Sequence, residues 1–335
     1  MIDLPQDAGQ HMTREIAEAP AVFAASVAQP VTLPDLAGLR AIYTVARGSS
    51  DAAANVLSYE IMRETGLPMT SLPPSIFSVG HGVRLADSAV LVVSQSGASD
   101  DLVRSACGAK AAGAKVLALT NAPGSPVEAT ADTTLRIGAG PELAVPATKS
   151  VIGAIAGGMA LLSALVPAYA SRATASARAL ATLSGKTLPQ TRAILAALLR
   201  ASHVYVIGRD TGFGAAQELA LKLKECCALH AEAYSSSEVL HGPLQLVTNP
   251  LLILILDTEQ PEVQASLDTA EQRFRTAGGT VMRIRPSDAG ATGLTPAAAA
   301  AALLCLSYPL VLQTALALGH DPDQPTTLAK VTQTR

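Results

Sequence analysis

Short apolar runs alternate with helix-length segments along most of the chain. Residues 41–46, 89–93 and 115–120 are mostly apolar stretches of strand length, and apolar positions at helical spacing follow the first two. Residues 76–79 predict a further short strand, and residues 135–137 predict a last strand at the sheet edge. Because helix-length segments separate the strands, the pattern predicts a parallel sheet with right-handed crossovers.

The same succession begins again in the second half of the chain. A strand at residues 203–208 leads through a glycine turn into a helix predicted over 214–228, and strands follow at 251–256 and 280–285. Each strand lies about 160 residues after its counterpart, which indicates a duplicated α/β unit. We expect the linker between the two units to fall between residues 167 and 189.

Three long segments with low polarity require an interpretation of their own. Residues 11–28 predict an amphipathic helix that is broken or restarted at Pro20, because proline cannot donate the helical hydrogen bond. Residues 151–170 and 296–318 are apolar enough for membrane spans, but both are rich in alanine and each is interrupted by a proline. In an α/β protein such segments are typical of buried helices.

A small polar loop, residues 94–99, follows the central strand. The loop carries three hydroxyl groups and one amide, and a helix is predicted to start near Ser99. The free N–H groups and the positive dipole end of that helix would point into the loop. Since no lysine or arginine occurs in this stretch before Arg104, we expect neutral donors to bind an oxyanion such as phosphate. A serine-rich helix cap is the alternative interpretation. The counterpart in the second half, residues 257–261, is acidic and would repel a phosphate.

Composition narrows the possible functions. A chain of 335 residues with 15% charged residues is long enough for two domains with full cores. The net charge of −3 and the lack of a basic stripe exclude a typical nucleic-acid-binding protein. The spacing of the four cysteines fits neither a disulfide framework nor a zinc site. The first twelve residues lack the apolar segment of a signal peptide, so we expect a cytoplasmic protein.

Charged residues of the second half concentrate on the helix predicted over 214–228. Glu218, Lys222 and Glu225 share one helix face. On its own this spacing is typical of a salt-bridged surface. We interpret Cys226 and Cys227 as core residues, and His230, which follows them, as a packed histidine rather than a catalytic one.

Six motifs occur in the order found in one known family: Ser94-Gln-Ser-Gly97, Val145-Pro-Ala-Thr-Lys149, Lys222-Leu-Lys-Glu225, His230-Ala-Glu-Ala-Tyr234, His241-Gly-Pro243 and the tail from Asp323 to Lys330. Together they resemble the isomerase half of glucosamine-6-phosphate synthase, a tandem sugar-isomerase (SIS) domain protein. The resemblance implies an α/β fold of two flavodoxin-like, doubly wound parallel-sheet SIS subdomains in tandem. It predicts a helical arm (1–35), a phosphate-binding SIS domain (36–170), an acid–base SIS domain (190–320) and a tail over the active site (321–335).

The chain is most similar to the SIS-type glucosamine-6-phosphate deaminases. Its isomerase-like part begins almost at Met1 and no cysteine precedes Cys107, so we expect no glutaminase activity. The resemblance implies conversion of glucosamine 6-phosphate and water to fructose 6-phosphate and ammonia, by C2-to-C1 proton transfer and imine hydrolysis, without a metal or an organic cofactor. The alternatives are an aldose–ketose phosphosugar isomerase, a deaminase for galactosamine 6-phosphate, and a non-catalytic phosphosugar-binding regulator.

The resemblance also implies a substrate-binding set. The phosphate would be held by the polar loop and by the turn after the first strand, and the sugar by the loop before the long apolar helix. The residues concerned are Ser49, Ser50, Ser94, Gln95, Ser96, Ser99, Val145 and Ala147. The chain departs from the family pattern at Arg47, Ala98 and Ala147, where the family has cysteine, glutamate and serine. These departures leave the stereochemistry of the sugar and the direction of the reaction open.

The resemblance implies four catalytic residues. Glu225 would move the proton from C2 to C1, and Lys222 would neutralise developing oxyanion charge. His241 would assist ring opening, entering the site from the partner subunit of a homodimer. Lys330 corresponds to the lysine that can form a Schiff base with the ketose.

Overall fold

Nine parallel strands form two sheets in the computed structural model, which describes residues 5–330. The strands are β1 (Ala41–Val45), β2 (Met69–Ser71), β3 (Ser88–Ser94), β4 (Lys115–Thr120), β5 (Thr133–Arg136), β6 (His203–Gly208), β7 (His230–Ser235), β8 (Leu252–Leu256) and β9 (Thr280–Ile284). The helices among these residues are α1 (Gln10–Val27), α2 (Gly48–Thr65), α3 (Ser75–Ser78), α4 (Asp100–Ala111), α5 (Pro126–Thr130), α6 (Lys149–Leu165), α7 (Ala170–Ala181), α8 (Thr191–Leu198), α9 (Thr211–Cys227), α10 (Pro261–Thr276) and α11 (Pro296–Ala317).

Both sheets share one strand order, which confirms the predicted duplication. The first sheet runs β2-β1-β3-β4-β5 and the second runs β7-β6-β8-β9. In each sheet the chain first moves outward from the initial strand and then crosses to its other side. This reversal places a topological switch point between β1 and β3, and another between β6 and β8, where open α/β sheets bind ligands.

Helices α2, α6, α9 and α11 lie in a core that joins the two halves. Helix α9 contacts both α2 and α11. The contact with α2 is close because Gly214 has no side chain: a Cβ there would lie 2.7 Å from the amide nitrogen of Val56 and 2.8 Å from the carbonyl oxygen of Ala52. The backbones of the two helices therefore meet directly.

The two long apolar segments form buried helices, as predicted. Among the described residues, α11 alone is long and apolar enough to cross a membrane, and 83% of its most apolar window is buried in the protein. Fourteen of the residues of α6 are buried as well. Their apolar surfaces are covered by other parts of the fold.

Several local predictions are wrong. Residues 76–78 belong to α3 and not to a strand. The carbonyl oxygens of Pro73 and Pro74 accept from the amides of Ile76 and Phe77, which starts a helical turn here. The edge strands β2 and β7 were not predicted. β2 has only three residues, and β7 carries polar residues at His230, Glu232 and Ser235, so neither shows the apolar run that predicts a strand.

Helix α1 also differs from its prediction. It continues through Pro20 without a break, although a proline inside a helix costs about 3 kcal/mol. Its buried side chains, including Met12 and Phe23, pack in the main core, and the helix contacts α6 along its length. The predicted linker is largely helical too, since α7 occupies much of it.

Candidate active site

A cavity of about 390 Å³ opens at the carboxyl ends of β1 and β3, at the first switch point. Its walls come from the turn after β1, the loop after β3, the loop before α6, helix α9 and the C-terminal tail. The residues that line it are Arg47, Gly48, Ser49, Ser50, Val93, Ser94, Gln95, Ser96, Ser99, Leu102, Glu142, Val145, Ala147, Lys222, Glu225, Leu328, Ala329 and Lys330. This set contains every predicted site residue except His241.

The loop after β3 has the tight turn that an anion-binding loop needs. Ser94 ends the strand, and its Oγ accepts from the amide of Gly97 at 3.0 Å. Gly97 adopts a φ of +60°, and a Cβ at this position would lie 2.2 Å from Ser125 Oγ. Only glycine therefore fits. Ser99 occupies the N-cap position of α4 in an extended conformation and makes no side-chain capping hydrogen bond, so the free amides at the helix start face the loop.

The turn after β1 brings a second helix start to the same cavity. Helix α2 begins directly after Arg47, and both Ser49 and Ser50 line the cavity. The Arg47 side chain forms an ion pair with the buried carboxylate of Asp101 in the first turn of α4. The sequence-based expectation that neutral donors bind the anion stays a prediction, and a cation from the neighbouring turn also lines this cavity.

Lys222 is the centre of a buried charge cluster on α9. Its ammonium group donates to Ser49 Oγ at 3.0 Å, pairs with Glu225 and lies 3.5 Å from a carboxylate oxygen of Glu218. Glu218 in turn accepts from the hydroxyl of Tyr308 at 3.2 Å. Lys222 and Glu218 are fully buried, so this helix face is not an exposed salt-bridged surface.

The surroundings shift the pKa values of Lys222 and Glu218. Burial opposes the charge on Lys222, but the carboxylates of Glu218 and Glu225 outweigh it and raise the pKa of Lys222 above its ordinary value. Burial raises the pKa of Glu218 to about 7. Lys222 thus remains a cation at neutral pH, placed beside the one carboxylate of this cluster that lines the cavity, Glu225.

A third ion pair closes the cavity on the side of the tail. Lys330 donates to the carbonyl oxygen of Ala144 at 2.6 Å and to the buried carboxylate of Glu142 at 3.2 Å. Glu142 also accepts from the amides of Thr148 and Ser150, both at 3.0 Å. Sequence reasoning missed Glu142 as a site residue. Its only signal was a carboxylate inside a loop of otherwise small and apolar residues.

The tail is also held at the start of α1. Asp323 is buried and accepts from the amides of His11 and Met12, both at 2.8 Å. Its carbonyl oxygen accepts from the amide of Val145 at 3.1 Å. These contacts fix the tail against the loop that lines the cavity. Residues 331–335 of the predicted tail lie outside the described residues.

The two histidines of the sequence motifs lie away from this cavity. His241 is exposed after a short 3-10 helix (Glu238–Leu240) and does not line the cavity of its own chain. His230 is exposed at the start of β7, with its Nδ1 3.1 Å from Nδ1 of His203, so the prediction of a packed histidine is wrong. Cys226 and Cys227 are buried, as predicted.

No group of three or more His, Cys, Asp or Glu side chains within residues 5–330 has the arrangement of a metal site. The charged groups of the cavity instead form three cation–carboxylate pairs: Arg47 with Asp101, Lys222 with Glu225, and Lys330 with Glu142. Hydroxyl groups from two helix starts lie among these pairs. The arrangement can bind an anion and can move a proton at a carboxylate held beside an ammonium group.

Comparison with known proteins gives this arrangement a family context. The SIS domain model matches residues 35–164 and 197–287. The isomerizing glutamine–fructose-6-phosphate aminotransferase of Symbiobacterium thermophilum is 32% identical over 322 residues, which cover 88% of this chain and 52% of that protein. The chain spans about half the length of the curated relatives it matches.

Solved structures agree with the fold. A crystal structure assigned provisionally to a phosphosugar isomerase of Silicibacter pomeroyi has a TM-score of 0.80 and 33% identity, and the match covers 93% of this chain and 99% of that one. The glucosamine-6-phosphate deaminase of Thermotoga maritima has a TM-score of 0.77 at 18% identity, with 97% and 100% of the two chains covered. The second likeness extends to the fold alone.

Proposed function

Because the chain belongs to the SIS domain family, as a tandem SIS protein similar to the isomerase half of glucosamine–fructose-6-phosphate aminotransferase, we propose that it is an amino-sugar-6-phosphate deaminase. The proposed reaction converts glucosamine 6-phosphate and water to fructose 6-phosphate and ammonia. The observation that carries the proposal is the Lys222–Glu225 pair, which faces the same cavity as the hydroxyl-rich loop of residues 94–99.

The phosphate would bind where the starts of α2 and α4 converge. Hydroxyl and amide groups surround this end of the cavity, from Ser50 on one helix start and from residues 94–99 on the other. Two helix dipoles point their positive ends at it. A phosphate placed here leaves the carbonyl end of an open-chain sugar near α9.

Glu225 would then act as the base that shifts a proton between neighbouring carbons. In the open aldehyde the carbonyl acidifies the hydrogen on C2, and the Glu225 carboxylate removes it and returns it to C1. The enolamine between these steps becomes a C2 imine. Water adds to the imine carbon and ammonia leaves, which yields the ketose. The Lys222 ammonium group would stabilise negative charge that develops on the substrate oxygen.

His241 and Lys330 complete the proposed site. His241 is exposed and outside its own chain's cavity, which agrees with a proposal that it enters the site of a partner subunit in a homodimer and assists ring opening. Lys330 lies in the cavity wall and would reach the ketose carbonyl once the sugar displaces its contact with Ala144. We extend the proposal to the domain ranges predicted above and to a cytoplasmic location.

Glu225→Gln tests the proposed base. Ammonia and fructose 6-phosphate are measured with glucosamine 6-phosphate as substrate, beside the wild type, Ser96→Ala and the control Glu232→Gln, which alters a carboxylate on β7 outside the cavity. Loss of a general base lowers kcat by about 10²–10⁴-fold. We expect this loss for Glu225→Gln alone, with sugar-phosphate binding retained, and weaker binding for Ser96→Ala.

Other results would point elsewhere. Ketose formation from an aldose 6-phosphate, without ammonia release from any amino-sugar phosphate, would establish the isomerase. Tight binding with neither reaction would favour the regulator. Full activity of Glu225→Gln would refute the assignment of the base.

A further inference from the structure

Arg47 places a guanidinium group between the starts of two helices. It is the last residue before α2, and its partner Asp101 lies in the first turn of α4. The arginine side chain is 46% exposed while Asp101 is fully buried. The buried carboxylate therefore holds the inner edge of the guanidinium group, and the outer edge is open to the cavity.

The hydrogen bonds of this pair leave donors free for a ligand. Arg47 uses its Nε to reach one oxygen of Asp101, and its two terminal nitrogens donate no hydrogen bond to any residue between 5 and 330. The second oxygen of Asp101 is buried and has no hydrogen-bond partner among residues 5–330. The groups of this pair that a bound anion can reach are therefore the free terminal donors of Arg47 and not the Asp101 carboxylate.

The other two cations of the cavity are engaged elsewhere. Lys222 is buried among Glu218, Glu225 and Ser49, and Lys330 binds Glu142 and a backbone carbonyl. Arg47 is the cation that stands next to Ser50 and to the loop of residues 94–99. Its planar fork of donors suits a phosphate, which it can bind through two parallel hydrogen bonds.

We propose that Arg47 is a phosphate-binding residue of this site, held in place by Asp101. The inference rests on the proposed function only for the identity of the ligand as a sugar phosphate. Asp101 is a positioning residue here, because it touches Arg47 and not the ligand.

Binding measured without turnover separates this inference from the proposed reaction. Isothermal titration calorimetry gives the affinities of the wild type and three variants for inorganic phosphate. The same proteins, each also carrying Glu225→Gln to prevent turnover, are titrated with glucosamine 6-phosphate. Arg47→Lys keeps the charge but loses the fork. Arg47→Gln combined with Asp101→Asn removes the pair without leaving a lone buried carboxylate. Arg104→Gln removes a cation from an exposed pair with Asp100 on the same helix and is the matched control.

A charge-assisted hydrogen bond corresponds to a loss of about tenfold or more in affinity. We expect the double variant to lose at least fivefold in phosphate affinity and Arg47→Lys to recover part of it, while Arg104→Gln binds like the wild type. Binding by the double variant within fivefold of the wild type would overturn the inference, as would an equal loss in Arg104→Gln. If circular dichroism shows that the double variant does not fold, Arg47→Lys decides the question. A loss of less than twofold in its phosphate affinity overturns the inference, and a larger loss supports it. Deaminase activity enters none of these readouts.

Discussion

Replacing Glu60 with glutamine should change how the stability of this protein depends on pH. Glu60 lies on α2 and is fully buried. One carboxyl oxygen accepts from the hydroxyl of Tyr169 at 2.8 Å, and the other accepts from the amide of Ala297 at the start of α11 at 3.0 Å. The residue therefore joins the first half of the chain to a helix of the second half.

The magnitude follows from the pKa of this group. Burial raises the pKa of Glu60 from 4.5 to about 7, against the opposing effect of the Tyr169 hydrogen bond. A raised pKa means that the folded state binds its proton more tightly than the unfolded state does. Stability from this group is thus fully present below pH 4.5 and is lost as the pH rises to about 7. The shift corresponds to about 3 kcal/mol of unfolding free energy.

Glutamine cannot ionise, so its contribution to stability is independent of pH. Any cost of the altered hydrogen bonds is constant and drops out of the comparison. Urea unfolding followed by circular dichroism at fixed protein concentration, from pH 4.5 to 8, measures the free-energy difference between Glu60→Gln and the wild type. We expect this difference to shift in favour of the variant by about 3 kcal/mol across the range.

Glu262→Gln alters an exposed carboxylate on α10 and is the control for removal of a charge as such. A free-energy difference between Glu60→Gln and the wild type that stays constant with pH would refute the reasoning. It would mean that Glu60 ionises with an ordinary pKa in the folded protein.

Two further substitutions test how the helices and the tail are joined. Gly214→Ala inserts a methyl group between α9 and the backbone of α2. Overpacking of this kind costs about 1–3 kcal/mol, so we expect a lower melting temperature in calorimetry. An unchanged melting temperature would contradict the close contact. Asp323→Asn removes the carboxylate that accepts from two amides at the start of α1. A charged acceptor contributes about 1.5–3 kcal/mol, so we expect the free energy of unfolding in urea to fall by that order. Wild-type stability would show that the tail is not anchored there.

Features carried by one continuous segment could be predicted from the sequence. The apolar run of β3 and the polar residues after it predict a strand, a loop and a helix start, and the structure has all three. The second half follows in the same way, since its strands lie at the expected separation and the order of the two sheets agrees. Spacing alone also placed Lys222 and Glu225 on one helix face.

Features that depend on distant segments could not be predicted. The Arg47–Asp101 pair joins residues 54 positions apart, and Glu142 meets Lys330 across 188 positions. No periodicity links such residues, because their approach is set by which strands are neighbours and by where the tail returns. Burial could not be predicted either. The spacing of Glu218 and Lys222 is typical of an exposed helix, and the packing of α2 and α11 against α9 excludes water from them.

The direct contact of α2 and α9 at Gly214 has a consequence for substrate length. Ser50 stands at the start of α2 and Glu225 near the end of α9, and the direct packing of the two backbones at Gly214 sets how far apart these helices lie. In the proposed reaction the separation between phosphate and base is thereby fixed. A pentose 5-phosphate, one carbon shorter, cannot place both its phosphate and its C2 hydrogen correctly. A misplacement of about 1 Å costs on the order of a hundredfold in rate. The ratio of kcat/KM for hexose and pentose phosphates therefore measures how strongly the site selects substrates by chain length.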